Sequence, residues 1–500
     1  MHKFNGWIIV VFCVLLVLAN PPSIARAEDA PAPSATISAE HARAELSELY
    51  ERLRQSHFDL YVHRSRADYD IFHRQMRESF TGTMSRFDLQ VALQRFMAYG
   101  RVAHSRIDFP SLEFERFRTE GGKIAPVGIK VRQGRIYVIS NMVGASDAAP
   151  YAGDEILALN GETAAQWRER LLAHLSADND YLGDTLLELQ FSALLWLELG
   201  AVDEIELRVR DRTGEVHEVT LPTRSRDQMR AAHARLPPSL ALNWSKREAR
   251  MLDDGLAYLR PGPFYNDAPA ASSIWDNSGF AAFIDRSFNQ FDDAQAKSLL
   301  IDIRDNPGGD NSFSDLLLRR YANQPFRFCS TFEIKVSAAT TASNAARVVQ
   351  GDSQISAEFA ELYAGRDPGE LVDFQIPMVD PAAESERFHG KVYVLINRYS
   401  YSNAVMVAAM SQDYEFATII GEETADLATT YGAMEKFSLS RTGISVGYPK
   451  AHIVRPSGDT QSRGVVPDIK IDTPLIQGAD DPVLLKAIAA VSGDRISAGD

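Results

Sequence analysis

The residues of this chain best suited to covalent chemistry are two serines in a short turn between an apolar run and a helix. Lys391–Tyr414 reads KVYVLINRYSYSNAVMVAAMSQDY: a buried strand ends at Asn397, a polar turn carries Ser400 and Ser402, and a helix begins at once. A serine there sits at the positive end of a helix dipole, with free backbone N–H groups near its own oxygen. That suits a nucleophile, because the N–H of the following residue can hold an oxyanion. Helix capping is the plainer use of the same side chains. A second stretch, Ile301–Gly309 (IDIRDNPGG), also runs from a buried strand into a tight turn. Its two glycines let backbone approach a ligand without Cβ obstruction. Together the two strand ends could supply a nucleophile and two oxyanion donors at one edge of a sheet.

The elements that must position these turns form a third unit, 251–475, in which near-continuous apolar strands alternate with helices. Gly255–Leu259, Ser298–Ile303, Lys391–Ile396 and Thr418–Gly421 are predicted strands; Phe280–Phe288, Phe313–Tyr321 and Ala404–Met410 are predicted helices. Such alternation implies a mainly parallel sheet covered on both faces. Ahead of it, 39–110 shows apolar residues at helical spacing, with Ser85 as an N-cap. The unit 115–225 has hairpin signals at Gln133-Gly134 and Thr213-Gly214 around a helical stretch, Ala164–Gly200, and reads as a small α+β module. Residues 226–250 are charged and read as a linker, and 476–500 as a C-terminal tail.

Composition bounds the function. The chain has 500 residues, 45% hydrophobic and 24% charged, with formal charge −15, as expected of globular domains. The acidic excess argues against nucleic acid, whose phosphates need clustered Lys and Arg. There is no HExxH, no CxxC pair and no spaced His/Asp cluster, so no metal is expected. Without a GxGxxG or Walker loop no nucleotide is expected either, and the reading carries no cofactor. Lys3, the apolar run Trp7–Ala19 and Ala25-Arg26-Ala27 read as a secretory signal over 1–27, followed by a Pro- and Ala-rich disordered leader, 28–38. Cleavage would remove Cys13 and leave Cys329 as a single thiol, with no stable membrane anchor.

Four stretches in order, IDIRDNPGG, VLINRYSYSNAVMVAAMSQDY, IIGEET (Ile419–Thr424) and RGVVPDI (Arg463–Ile469), resemble the core of the C-terminal processing or tail-specific serine peptidases, family S41. Ala152–Glu162 (AGDEILALNGE) is similar to part of the PDZ-like module of that family, and the segment ending VAHSRIDFP to its N-terminal helical part. The resemblance implies an α/β fold with a ClpP/crotonase-like ββα peptidase core, an N-terminal helical domain and a divergent PDZ-like α+β module. It also implies the roles. Ser402 matches the nucleophile, and the N–H groups of Asn403 and of Gly309, or else Gly308, match the oxyanion hole.

The base is where this sequence departs from one branch of the family. The Ser–Lys branch has a lysine where this chain has Leu427, so that dyad is absent. The histidine-using, tricorn-like branch takes its base from the N-terminal part, where His104 matches, one of eleven histidines. That branch also has a glutamate where Gln461 stands here. An amide can orient an imidazole but cannot stabilise imidazolium as a carboxylate does. Ser105, Glu422 and Glu423 are further auxiliary candidates, and Asp413 matches an acidic position of the tail-specific branch.

The function expected is a secreted serine endopeptidase of a bacterial periplasm, acting on peptide or protein substrates through an acyl-enzyme. The alternative is a catalytically impaired peptide-binding protein on the same fold. An acyl-CoA enzyme of the crotonase class is a third reading, which the secretory signal disfavours.

Overall fold

A computed structural model describes residues 36–143, 150–236, 240, 244–268, 271, 273–349 and 354–497. The signal and nearly all of the leader expected at the N-terminus lie outside the described residues. The chain divides into two compact units: unit 1 comprises Met1–Thr83, Asn243–Asp472 and Ala487–Asp500, and unit 2 comprises Met84–Leu242 and Thr473–Lys486.

Two helices, α1 (Ala39–Ser56) and α2 (Arg66–Ser79), open unit 1, each capped by a serine, Ser38 and Ser65, that takes a backbone N–H of the first turn. Unit 2 begins with α3 (Arg86–Tyr99), where Ser85 and Asp88 form a reciprocal capping box, and α4 (Ser111–Thr119). The helices of 39–110 are thus shared between the two units. Unit 2 continues with β1 (Val127–Arg132), β2 (Arg135–Asn141), β3 (Glu155–Leu159), β4 (Glu162–Thr163), α5 (Ala164–Leu172), α6 (Asp180–Leu199), β5 (Glu204–Arg210), β6 (Val216–Pro222) and α7 (Arg226–His233). Its strands make one antiparallel sheet in the order β1-β2-β3-β5-β6, with β4 on β3. Both predicted hairpins are present, β1–β2 and β5–β6. The helix predicted over Ala164–Gly200 is two helices, because Asn179 caps a new start by accepting the N–H of Leu182. Its side chain satisfies a donor that a continuing helix would have paired internally. The charged linker expected over 226–250 holds α7 and a strand as well as loop.

The rest of unit 1 runs β7 (Glu248–Met251), β8 (Leu256–Arg260), α8 (Ser278–Asp293), β9 (Ser298–Asp302), α9 (Asn311–Leu318), β10 (Thr331–Lys335), α10 (Ala338–Val349), α11 (Gln354–Tyr363), β11 (Leu371–Asp373), β12 (Lys391–Ile396), α12 (Asn403–Asp413), β13 (Thr418–Gly421), β14 (Thr430–Ser438), β15 (Ser445–Val454) and β16 (Ile469–Lys470). Where a tail is predicted, α13 spans Pro482–Ser497. One sheet has the order β16-β13-β12-β9-β8-β7. It is parallel throughout except for the edge pair β7–β8. Every residue of β9 and all but the first of β12 are buried, so both faces of the sheet are covered. The protein is therefore of mixed α/β class, as its strand and helix alternation implies.

A second sheet, β11-β10-β15-β14, is antiparallel and has no counterpart in the sequence reading. It holds a buried charge network. Glu435 on β14 receives Lys450 Nζ of β15 at 2.7 Å and Arg347 of α10 at 2.6 Å. Lys450 also lies 4.4 Å from the centre of the Phe359 ring. Burial opposes ionisation of Glu435, but the two cations and their hydrogen bonds overcome it and hold the carboxyl down at about 2. Its native value thus lies below its unfolded one, so the stabilisation is full above about pH 4.3 and is lost as pH falls toward about 2. Replacing Glu435 with Gln leaves Lys450 buried without its counter-charge, which costs about 3–5 kcal/mol. Denaturant unfolding at pH 7 should show that loss, and the gap between wild type and E435Q should narrow between pH 4 and pH 2.

Candidate active site

The parallel pairing of β9 with β12 brings the two chemically suggestive turns to the same end of the sheet, with Leu395 opposite Asp302. Hydrogen bonds then join the turns. Ser400 Oγ donates to Ile303 O at 2.8 Å and accepts the N–H of Asn397. Asn397 Oδ1 accepts the N–H of Asp305, and its Nδ2 donates to Asp305 Oδ1 at 2.8 Å. The N–H of Tyr401 donates to Asn306 O at 2.9 Å. Ser400 is therefore a brace between the turns, fully buried, and its oxygen is already committed.

Ser402 differs. It precedes α12 with φ 56° and ψ −121°, the left-handed region that L residues avoid, and its side chain makes no capping hydrogen bond. The capping role weighed from sequence is thus taken by neither serine. Ser402 is 8% exposed and its backbone N–H donates to Asp426 Oδ2 at 2.6 Å. A strained, non-capping serine between strand and helix has the geometry of a nucleophile elbow.

The glycine turn meets this elbow closely. Gly308 has φ 83°, and a Cβ there would stand 2.6 Å from Tyr401 O and 2.8 Å from both Asn403 N and Ser402 Cβ. Asn306 fixes the turn: its Nδ2 donates to Gly262 O at 2.7 Å and its Oδ1 accepts the N–H of Gly308 at 2.8 Å. That bond commits the Gly308 N–H. Gly309 sits in a parallel bridge with Phe264, in which the amides engaged are those of Phe264 and Asp310. A Cβ on Gly309 would fall 2.1 Å from Phe264 O, so only glycine fits. Asn403, first residue of α12, has a backbone N–H with no intrahelical acceptor. Among the described residues neither the Gly309 nor the Asn403 N–H donates to another group.

Charges support the turns from behind. Asp302 is fully buried and ties Arg304 at 2.7 Å, Tyr258 Oη at 2.9 Å and Arg260 at 3.8 Å. Burial works against its ionisation, but the two guanidinium groups and the phenol hold its carboxyl below the ordinary range. Arg304 and Asp305 thus fix the turn. Asp413 carries no exposed charge: it pairs with Arg455 at 2.6 Å and accepts the N–H of Ser457. Glu422 and Glu423 pair with Arg398 and Arg463. Cys329 is buried, and burial pushes its thiol up to about 12, away from the reactive thiolate.

Of the remaining candidates, Gln461 is exposed in unit 1, and its hydrogen bonds are those of its backbone. Leu427, where the Ser–Lys branch has its lysine, is buried. His104 and Ser105 belong to unit 2 and lie in the turn after α3, 5% and 3% exposed. Within that unit the backbone on either side of His104 is anchored by the segment that breaks α5 from α6: Asp178 Oδ2 accepts the N–H of Ala103, and Ser176 Oγ donates to Ser105 O at 2.6 Å. The sequence reading passed over these two residues, and it passed over Asp426. Asp426 is fully buried, and burial raises its carboxyl to about 6 against the opposing pull of the Ser402 and Leu427 N–H groups.

Taken together, the parallel sheet, the strained Ser402 and the unengaged Gly309 and Asn403 N–H groups place a serine between strand and helix at the end of an α/β sheet. Residues 272–471, two fifths of the chain, match the sequence profile of peptidase family S41, and this segment is similar to the serine peptidases of that family. Three solved structures share the fold. Mature CPAF is 17% identical, with a TM-score of 0.57 over 86% of this chain and 92% of its own. A mutant of CPAF gives 17% and 0.58 over 87% and 93%. CPAF complexed with lactacystin gives 18% and 0.55 over 86% and 94%. No curated protein matches the chain.

Glycine at 308 is expected to be indispensable. In G308A the new methyl must displace Tyr401 or Asn403 and adopt a left-handed conformation, so labelling of the purified protein by a fluorophosphonate probe should be lost. Gly279, in open space at the start of α8, is the control: G279A should label at the wild-type rate.

Proposed function

We propose that this protein is an endopeptidase that works through an acyl-enzyme, with Ser402 as nucleophile, His104 as base, and the N–H groups of Gly309 and Asn403 as the oxyanion hole. The observation that carries this is the elbow itself: a left-handed, non-capping Ser402 against two backbone amides that have no other acceptor among the described residues. In the first step Ser402 Oγ bonds to the scissile carbonyl carbon while its proton passes to His104 Nε2. The tetrahedral oxygen takes the two N–H bonds. Collapse breaks the C–N bond, and His104 returns the proton to the leaving amine. Water then repeats the sequence on the ester and frees Ser402.

The core is read as ClpP/crotonase-like, supported by the ββα order of β9, β12 and α12 around the site. The unit 2 sheet with α5 and α6 is read as a divergent PDZ-like module that takes peptide chain ends by strand addition. Secretion to a periplasm rests on the signal-like sequence 1–27. Ser105 and Gln461 are auxiliary at most: an exposed amide at Gln461 is a weak partner for an imidazolium.

Gln461 and Leu427 also favour a second reading, a peptide-binding protein without turnover. Hydrolysis of a fluorogenic peptide library by the purified full-length chain separates the two. On the catalytic reading S402A lowers kcat/KM by about 10³-fold or more and H104A by about 10²–10⁴-fold, with circular dichroism unchanged. Wild-type protein that binds peptides but neither turns them over nor accepts a fluorophosphonate would establish the binding reading instead.

A further inference from the structure

We propose that Asp426 is a positioning residue for the nucleophile: its carboxylate grips the backbone N–H of Ser402 and thereby holds the elbow in its left-handed state with Oγ facing the Gly309 and Asn403 amides. The inference rests on the assignment of Ser402 as nucleophile and adds a part to that site.

Three observations carry it. The bond from Ser402 N to Asp426 Oδ2, 2.6 Å long, is charge-assisted and joins residues 24 apart in sequence. It acts at the one residue of the turn whose conformation is unfavourable by itself. The rest of the turn is held by other groups, Ser400 by Ile303 O and Tyr401 by Asn306 O, so Asp426 is the tether specific to Ser402. Second, Asp426 is itself held rigidly. It is 2% exposed, and Thr424 Oγ1 donates to its backbone carbonyl at 3.0 Å. Thr424 in turn is locked by Val465, whose N–H donates to the same hydroxyl at 2.9 Å, and by the Gly464 backbone, so close that a Cβ there would overlap Thr424 O. The loop segment RGVVP ahead of β16 is thereby linked through Thr424 and Asp426 to Ser402.

Third, Asp426 Oδ1 is buried and accepts no hydrogen bond among the described residues. Buried carboxylate oxygens are rarely left so, and a carboxylate kept for stability alone would be satisfied on both oxygens. A group retained at such a cost, in contact with the strained residue, fits a task at the site. The task asked of it is acceptance at one oxygen, and an amide oxygen performs that equally well.

Asparagine therefore serves as the conservative variant. In D426A the tether is lost, the elbow relaxes, and Oγ drifts from its line of attack. Misplacement on the scale of 1 Å lowers turnover by about 10²-fold. The full-length protein is to be assayed with a fluorogenic peptide for kcat and KM, and with a fluorophosphonate probe for the labelling rate of Ser402. The expected result is a fall of about 10–100-fold in kcat and labelling rate for D426A with KM within about 2-fold of wild type, and recovery to within about 5-fold in D426N. Unchanged kcat in D426A overturns the inference. So does a folded D426N as impaired as an alanine, because then acceptance of the N–H is not what matters. Should D426A fail to fold, D426N alone decides by the same limits. S402A run alongside keeps the two assignments apart: if S402A retains activity, the nucleophile itself is wrong, whereas a dead S402A beside a fully active D426A rejects only the tether.

Discussion

The parallel register between β9 and β12 is the constraint on which the candidate site depends. Leu395 opposite Asp302 means that both strands stop at the same level, and the chain must turn twice within a few ångströms. Each turn closes one hydrogen bond on its own backbone, Ser400 N–H to Asn397 O and Asn306 N–H to Ile303 O, and the other turn supplies further partners: Ser400 Oγ reaches Ile303 O, Asn397 reaches Asp305, and the Tyr401 N–H reaches the backbone carbonyl of Asn306. Each such bond contributes only about 0.5–1.5 kcal/mol, but leaving the same buried groups unpaired would cost more, so the pair of turns behaves as one rigid piece. A register slip of one residue would exchange the side chains packed on the two covered faces of the sheet and separate the turns.

That rigidity makes the strain at Ser402 tolerable. A non-glycine residue in the left-handed region costs about 1–3 kcal/mol, and such residues persist only where their surroundings over-determine them. Here the surroundings are the Gly308 backbone on one side, leaving no room for a Cβ, and the Asp426 carboxylate on the other. A hydrogen bond to a charged group contributes about 1.5–3 kcal/mol, of the same order as the strain. The serine side chain is thereby free of structural duty. This is the physical difference between Ser400 and Ser402, two serines that look interchangeable in the string RYSYSNA.

How far the sequence carried the reading follows from where each signal resides. Strands β9 and β12 are legible because burial on both faces makes them continuous apolar runs, and the turns because Pro, Gly and Asn declare them. The hairpins of unit 2 are legible from Gln133-Gly134 and Thr213-Gly214. The second sheet is not, because β15 carries Pro449, Lys450 and His452 inside a strand that is buried nearly throughout. Lys450 is inside only because Glu435 neutralises it, and that pairing is a tertiary fact with no local trace. The break between α5 and α6 left a readable sign in Asn179, a residue that favours helix starts. Asp426 left none: an aspartate in ETADLATT looks solvated, and only the fold carries it back to Ser402.

The same segment bears on where a base can come from. In the Ser–Lys peptidases that this chain resembles, the stretch after the nucleophile supplies a lysine at the position of Leu427. Here that stretch is given over to structure: Thr424, Ala425, Asp426, Leu427 and Ala428 are all buried, and Asp426 is turned to the elbow backbone. A lysine at 427 would have to bury an ammonium beside a carboxylate already engaged, and desolvation would have to be met by one remaining oxygen, Oδ1. A neutral imidazole delivered from elsewhere carries no such penalty, since it enters uncharged and gains its proton only during the reaction. The buried Leu427 and the Asp426 carboxylate bonded to the Ser402 N–H therefore belong together, and this segment leaves the base to be supplied from outside it.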